Sequence, residues 1–163
     1  MQNEHDHTNS LVPQKKGELM SKQSIVSRSM VKNLIREAID GMAKAYTPYS
    51  GFRVGAALLT NKQKIYTGCN IENAAYSPSN CAERTAIFKA VSEGEREFSA
   101  IAIVAGKAGI ITDYCPPCGV CRQVMREFAD PKHFLIILAK SEEDYLLYFL
   151  EELFPMGFGP EYL

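Results

Sequence analysis

The sequence predicts an α/β protein, a three-layer α/β/α sandwich on a five-stranded mixed sheet. Three observations carry that expectation: five short strand-like runs, three segments with helical spacing or helix-start signals, and their interleaving along 163 residues. Interleaved elements of this kind bury their apolar faces by laying helices over a sheet.

Ser27 or Ser29 offers an N-cap for a first helix, in which Val31, Leu34, Ile35, Ala38, Ile39 and Met42 recur at helical spacing. That helix is expected to end before Thr47-Pro48. Residues 53–60 (RVGAALLT) and 64–69 (KIYTGC) read as strands around a polar turn at Asn61 to Gln63. A loop over residues 70–80 leads to a helix from about Ala82, closed by Gly94 as C-cap. Residues 99–105 (SAIAIVA) form a buried strand. A glycine-containing loop then reaches Pro116-Pro117, and a helix starts near Cys118 and ends before Pro131. Residues 134–139 and 145–150 supply the last two strands. There is no internal repeat and no second domain, so residues 27–163 make one domain. Residues 1–26 are polar without apolar periodicity and are expected to be a disordered tail. His5 and His7 in that tail read as solvated rather than metal-bound, and His133 is given no role.

Composition narrows the function. The formal net charge is −1 and no Lys/Arg block exceeds two residues, so the electrostatic footprint of a nucleic-acid binder is missing. No apolar run is long enough for a bilayer, and the N-terminus lacks the apolar core of a signal peptide. Five cysteines, two of them in a C-x-x-C pair, do not suggest a secreted disulfide framework. A reduced, cytoplasmic protein without membrane or nucleic-acid partners is expected.

The chemistry is concentrated in Cys81-Ala82-Glu83-Arg84 and in Pro117-Cys118-Gly119-Val120-Cys121. Cys81, Cys118 and Cys121 offer three thiolates to one Zn²⁺, which leaves a fourth tetrahedral position for water. Glu83 lies two residues beyond a ligand, placed for proton transfer, and the set matches the all-cysteine form of the zinc-deaminase signature. Hydrolytic deamination of a cytosine ring needs a nucleophile at neutral pH and protons at two heteroatoms. Zinc supplies the first, and one carboxylate cycling between charged and neutral forms supplies the second. Three thiolates leave the ion with a net charge of −1. The N-termini of two helices and Arg84, a donor to ligand sulfur, would offset it; Arg122 is a weaker candidate. Cys115 also pairs with Cys118 as C-x-x-C, which would allow a closed, structural four-cysteine site. The prolines between them favour an extended path that disfavours this arrangement.

The segments YTPYSGFRVGAALLT, GCNIENAAYSPSNCAERTAIFKAVSEG, PPCGVCRQVMREF and LFPMGFGPE resemble, in order, the small homotetrameric cytidine deaminases of pyrimidine salvage. The resemblance runs from Tyr46 to the C-terminus. It implies a cytidine deaminase-like fold, one Zn²⁺ per subunit, and conversion of cytidine and 2′-deoxycytidine to uridine and 2′-deoxyuridine. It also implies that Asn70 and Glu72 bind ribose hydroxyls, that Phe52 lines the pyrimidine pocket, and that the Ala82 N–H meets the base carbonyl. Phe158 matches a residue inserted into a neighbouring subunit's site, and Tyr49 lies in a segment of similar intersubunit role. Pro116 stands where the family usually has serine, with its backbone carbonyl retained. Rival readings are a deaminase of a related aminopyrimidine nucleoside, nucleotide or cytosine-like antibiotic, a nucleic-acid editing module, and a structural four-cysteine zinc protein.

Overall fold

A computed structural model describes residues 26–163; the polar segment before Val26, with His5 and His7, lies outside the described residues. Helix α1 (Arg28–Met42) starts at Ser27, whose Oγ accepts the Met30 N–H at 3.2 Å. Strands β1 (Phe52–Thr60) and β2 (Ile65–Cys69) form a hairpin, followed by α2 (Ala82–Ser92), β3 (Phe98–Lys107) and α3 (Gly119–Phe128). Strands β4 (Leu135–Ala139) and β5 (Tyr145–Phe149), a one-turn α4 (Leu150–Leu153) and a 3₁₀ turn at Pro160–Tyr162 complete the chain. Residue 150, expected to end the last strand, instead opens α4. The Glu152 carboxylate accepts the Phe149 N–H at 2.6 Å and turns the chain there.

The sheet order is β2-β1-β3-β4-β5, with only β3 and β4 parallel. Side chains alternate across it, as a period of two demands. Ala57, Leu59, Ala100, Ala102, Leu135 and Ile137 point to one face and pack on Val31, Leu34, Ile35 and Ala38 of α1. Val26, ahead of the helix, is already buried in this layer. Leu58, Ile101, Ile103, Ile136 and Leu138 point to the other face and meet Ala86, Ile87 and Ala90 of α2 and Cys121 and Met125 of α3. This is the expected three-layer arrangement.

Strand direction places the site. β2 and β3 flank β1 and both run antiparallel to it, so they run the same way and deliver the chain to the same edge. The helices that follow them, α2 and α3, lie on one face and begin at that edge. Helix α2 sits close against β2 because Gly68 has no side chain. A Cβ there would come within 2.5 Å of the Ala86 backbone N.

A Gly68→Ala substitution is therefore expected to push α2 off the sheet and to cost about 2 kcal/mol, the scale of core overpacking. Urea denaturation would show a lower midpoint at unchanged slope; an unchanged midpoint would mean that α2 does not approach β2 this closely.

Candidate active site

Cys81 is the N-cap residue of α2 and Cys118 that of α3, and neither makes a side-chain capping bond. Their thiols are thus free to face each other at the shared sheet edge. Cys121, one turn into α3, is fully buried. The Cys81 and Cys118 Sγ atoms are 3.9 Å apart, Cys118 and Cys121 3.5 Å, and all three lie within 4.8 Å of one another. A tetrahedral zinc with bonds of about 2.3 Å separates two sulfurs by about 3.8 Å, so the donor set fits one such ion. This trio is the one metal-competent cluster of its kind among the described residues. Cys115 is not part of this cluster; its Sγ donates to the Pro116 carbonyl at 3.9 Å.

Three sulfurs this close cannot share space as bare anions. The neighbouring Cys121 thiol holds the Cys81 thiol down to about 5, with Arg84 contributing, and the same proximity pushes Cys121 up. Arg84 Nη2 donates to Cys81 Sγ at 3.5 Å and to the Ser79 carbonyl at 3.4 Å. Arg122, the weaker sequence candidate for this task, is occupied elsewhere. Its Nε donates to the Pro117 carbonyl and its Nη1 to the Leu153 carbonyl, both at 2.7 Å. It braces the ligand loop against α4 and makes no bond to sulfur.

Glu83 is 4% exposed, and burial pushes its carboxyl up to about 7, with the Cys81 charge adding to the shift. A carboxylic acid titrating there exchanges protons readily at neutral pH. Glu83, Cys81 and Cys118 line a cavity of about 570 Å³ together with Cys115 and Pro116.

Part of the wall comes from the loop between β2 and α2. Ile71 and Asn80 exchange backbone hydrogen bonds of 2.9 Å, so the loop doubles back, and Asn70 and Glu72 line the cavity with Cys81. Glu72 accepts the N–H groups of Tyr49 and Ser50 at 2.9 and 3.2 Å and the Ser50 hydroxyl, which holds its carboxyl below the usual range. Asn70 accepts the Val54 N–H at 2.8 Å and donates to the Phe52 carbonyl at 2.9 Å. Its amide therefore stitches the end of β2 to the start of β1, a task the sequence pattern did not reveal.

Tyr49 lines the cavity mouth, 52% exposed, with its ring 6.1 Å from that of Tyr76. Phe52 is 41% exposed at the start of β1, and Val54, two residues on along the same face of the strand, lines the cavity. Ala82 is buried at the first position of α2, where a helix leaves its N–H unpaired by the ladder. Phe158 is exposed and does not line this chain's own cavity. No lysine or arginine lines that cavity among the described residues.

A family model described as "Cytidine and deoxycytidylate deaminase zinc-binding region" matches residues 28–137. A cytidine deaminase of Halalkalibacterium halodurans is 48% identical over 128 residues, which span 78% of this chain and 93% of that one. One from Sporosarcina psychrophila is 56% identical over 100 residues, 61% of this chain and 71% of the relative. The crystal structure of cytidine deaminase from Burkholderia pseudomallei superposes with a TM-score of 0.71 at 44% identity, covering 77% of this chain and 97% of that one. The chain is a member of the cytidine and deoxycytidylate deaminase family, and the three clustered cysteines lie within the residues that match the family's zinc-binding region and fit one Zn²⁺.

Proposed function

We propose that the protein is a zinc-dependent cytidine deaminase, converting cytidine and 2′-deoxycytidine to uridine and 2′-deoxyuridine with release of ammonia in pyrimidine salvage. The observation that carries this reading is a cluster of three cysteine sulfurs, two of which, Cys81 and Cys118, line one cavity with the buried Glu83. Cys81, Cys118 and Cys121 would hold the ion, and Arg84 would offset their charge through its bond to Cys81. Bound there, zinc supplies the Lewis acidity that makes water a nucleophile near neutral pH.

The other steps belong to side chains. Glu83 takes a proton from the attacking water and delivers it to ring N3 as the C4–O bond forms. It then carries the remaining hydroxyl proton to the exocyclic amine, so that the C4–N bond breaks and ammonia leaves as the carbonyl forms. The Ala82 N–H donates to the base carbonyl, and the Pro116 carbonyl faces the leaving amine. Asn70 and Glu72 grip the ribose hydroxyls; a carboxylate has about four lone-pair sites, so Glu72 keeps capacity beyond its bonds to the 49–50 turn. Val54 walls the base, with Phe52 beyond it at the start of β1. A cavity without lysine or arginine suits a nucleoside better than a nucleotide.

Phe158, exposed and outside its own cavity, is read as reaching a neighbouring subunit's site, with Tyr49 near the same contact. The assembly is then a homotetramer with shared sites, located in the cytoplasm. The domain is assigned to residues 27–163, with residues 1–26 as a tail outside it.

The test is the ultraviolet absorbance change on mixing zinc-loaded protein with cytidine. Wild type should convert it, and Glu83→Gln should lose about 10³-fold or more in kcat, within the range of general acid–base catalysis, while keeping one zinc per chain. Loss of zinc in that variant would make Glu83 structural. Cys118→Ser should lose both metal, measured by mass spectrometry, and turnover; full zinc occupancy would remove Cys118 from the ligand set. Phe158→Ala should raise KM without lowering the unfolding midpoint, and unchanged kinetics would rule out its intersubunit role.

A further inference from the structure

The C-terminal segment is held by three side chains projecting from one helix. From α3, Arg122 donates to the Leu153 carbonyl at 2.7 Å and Gln123 Nε2 donates to the Phe158 carbonyl at 3.0 Å. Arg126, next along the helix, pairs with Glu161. Arg126 is only 13% exposed in its side chain, whereas Glu161 is 50% exposed, so the pair closes over the chain rather than standing in solvent. Gly159 passes beneath it: a Cβ there would come within 2.5 Å of both Arg126 Cζ and Glu161 Oε2. On the outer side, the rings of Phe158 and Tyr162 stack at 5.3 Å and 14°. Both are more than half exposed.

An ion pair that brackets a glycine, a carbonyl bond and a ring stack converge on one residue, Phe158. Flexible C-terminal residues are ordinarily among the least ordered of a chain. Here the restraints fix a bulky apolar ring that is more than half exposed.

We propose that Arg126 and Glu161 form a latch that presents Phe158 as a preordered prong, making Arg126 a positioning residue for the site that Phe158 completes. The inference rests on the intersubunit reading of Phe158 given above and adds what holds that ring in place. A prong ordered in advance saves the entropy of ordering it when substrate arrives, so the latch acts on substrate binding and leaves the proton transfers at Glu83 untouched. Helix α3 thereby serves two places: its first turn carries Cys118 and Cys121, and its later turns hold the segment that ends in Phe158.

Steady-state kinetics on the zinc-loaded enzyme separate the possibilities. Arg126→Ala and Glu161→Arg should each raise KM by about fivefold, the effect of losing one partly buried charge-assisted pair, with kcat within about twofold of wild type. The exchanged pair, Arg126→Glu with Glu161→Arg, should bring KM back to within about twofold of wild type, which loss of a merely structural side chain would not do. Phe158→Ala sets the ceiling of the effect. If Phe158→Ala raises KM but the latch variants do not, or the exchange fails to restore it, the latch is overturned while the role of Phe158 stands. If Phe158→Ala leaves KM unchanged, both are overturned.

Discussion

The structure depends on the direction of two strands. Because β2 and β3 both run against β1, they end at the same edge of the sheet, and the two helices that follow them start side by side. Two residues far apart in sequence, Cys81 and Cys118, thus become neighbouring N-caps. Gly68 lets α2, which Cys81 caps, lie close on β2. Ligand sites outside the carboxyl ends of strands are common in α/β sheets for the same reason: helix starts converge there with unpaired N–H groups and local positive potential.

That convergence also answers an electrostatic problem. Three thiols and a buried carboxylate would repel one another if all were ionised, and proteins leave buried charge unpaired only at large cost. Two helix N-termini and the Arg84 guanidinium oppose them, and a zinc ion held by the cluster would add its own positive charge. Burial acts differently on Glu83, raising its carboxyl into the range where it trades protons at neutral pH. One environment therefore favours metal binding by its sulfurs and proton transfer by its carboxylate. Cys115, beside the same cavity but outside the cluster, shows how narrow the geometric condition is.

The elements were largely legible because each wrote its own period. Val31, Leu34, Ile35 and Ala38 spell out α1, and the apolar runs of β3 and β4 mark strands buried on both faces. The run through Tyr145 to Leu150 did not reveal where strand passes into α4, since a continuous apolar stretch has no phase; the boundary is set by Glu152. The metal-competent trio was legible because local spacing encodes it: C-x-x-C is one turn of α3, and Cys81-Ala82-Glu83 opens α2. Long-range roles were not. Asn70 bonding to β1, Arg122 spanning to Leu153, and the Arg126–Glu161 pair each join residues whose proximity follows from packing. The place of Val54 in the cavity lining likewise depends on tertiary packing, which the strand's own alternation does not encode.

The central claim is that three cysteines hold the ion and leave its fourth position open to water beside Glu83. X-ray absorption at the zinc edge of the loaded protein tests it most directly. The account predicts three sulfurs at about 2.3 Å and one lighter ligand at about 2.0–2.1 Å. Four sulfurs would bring Cys115 into the site, close it to water, and contradict the account.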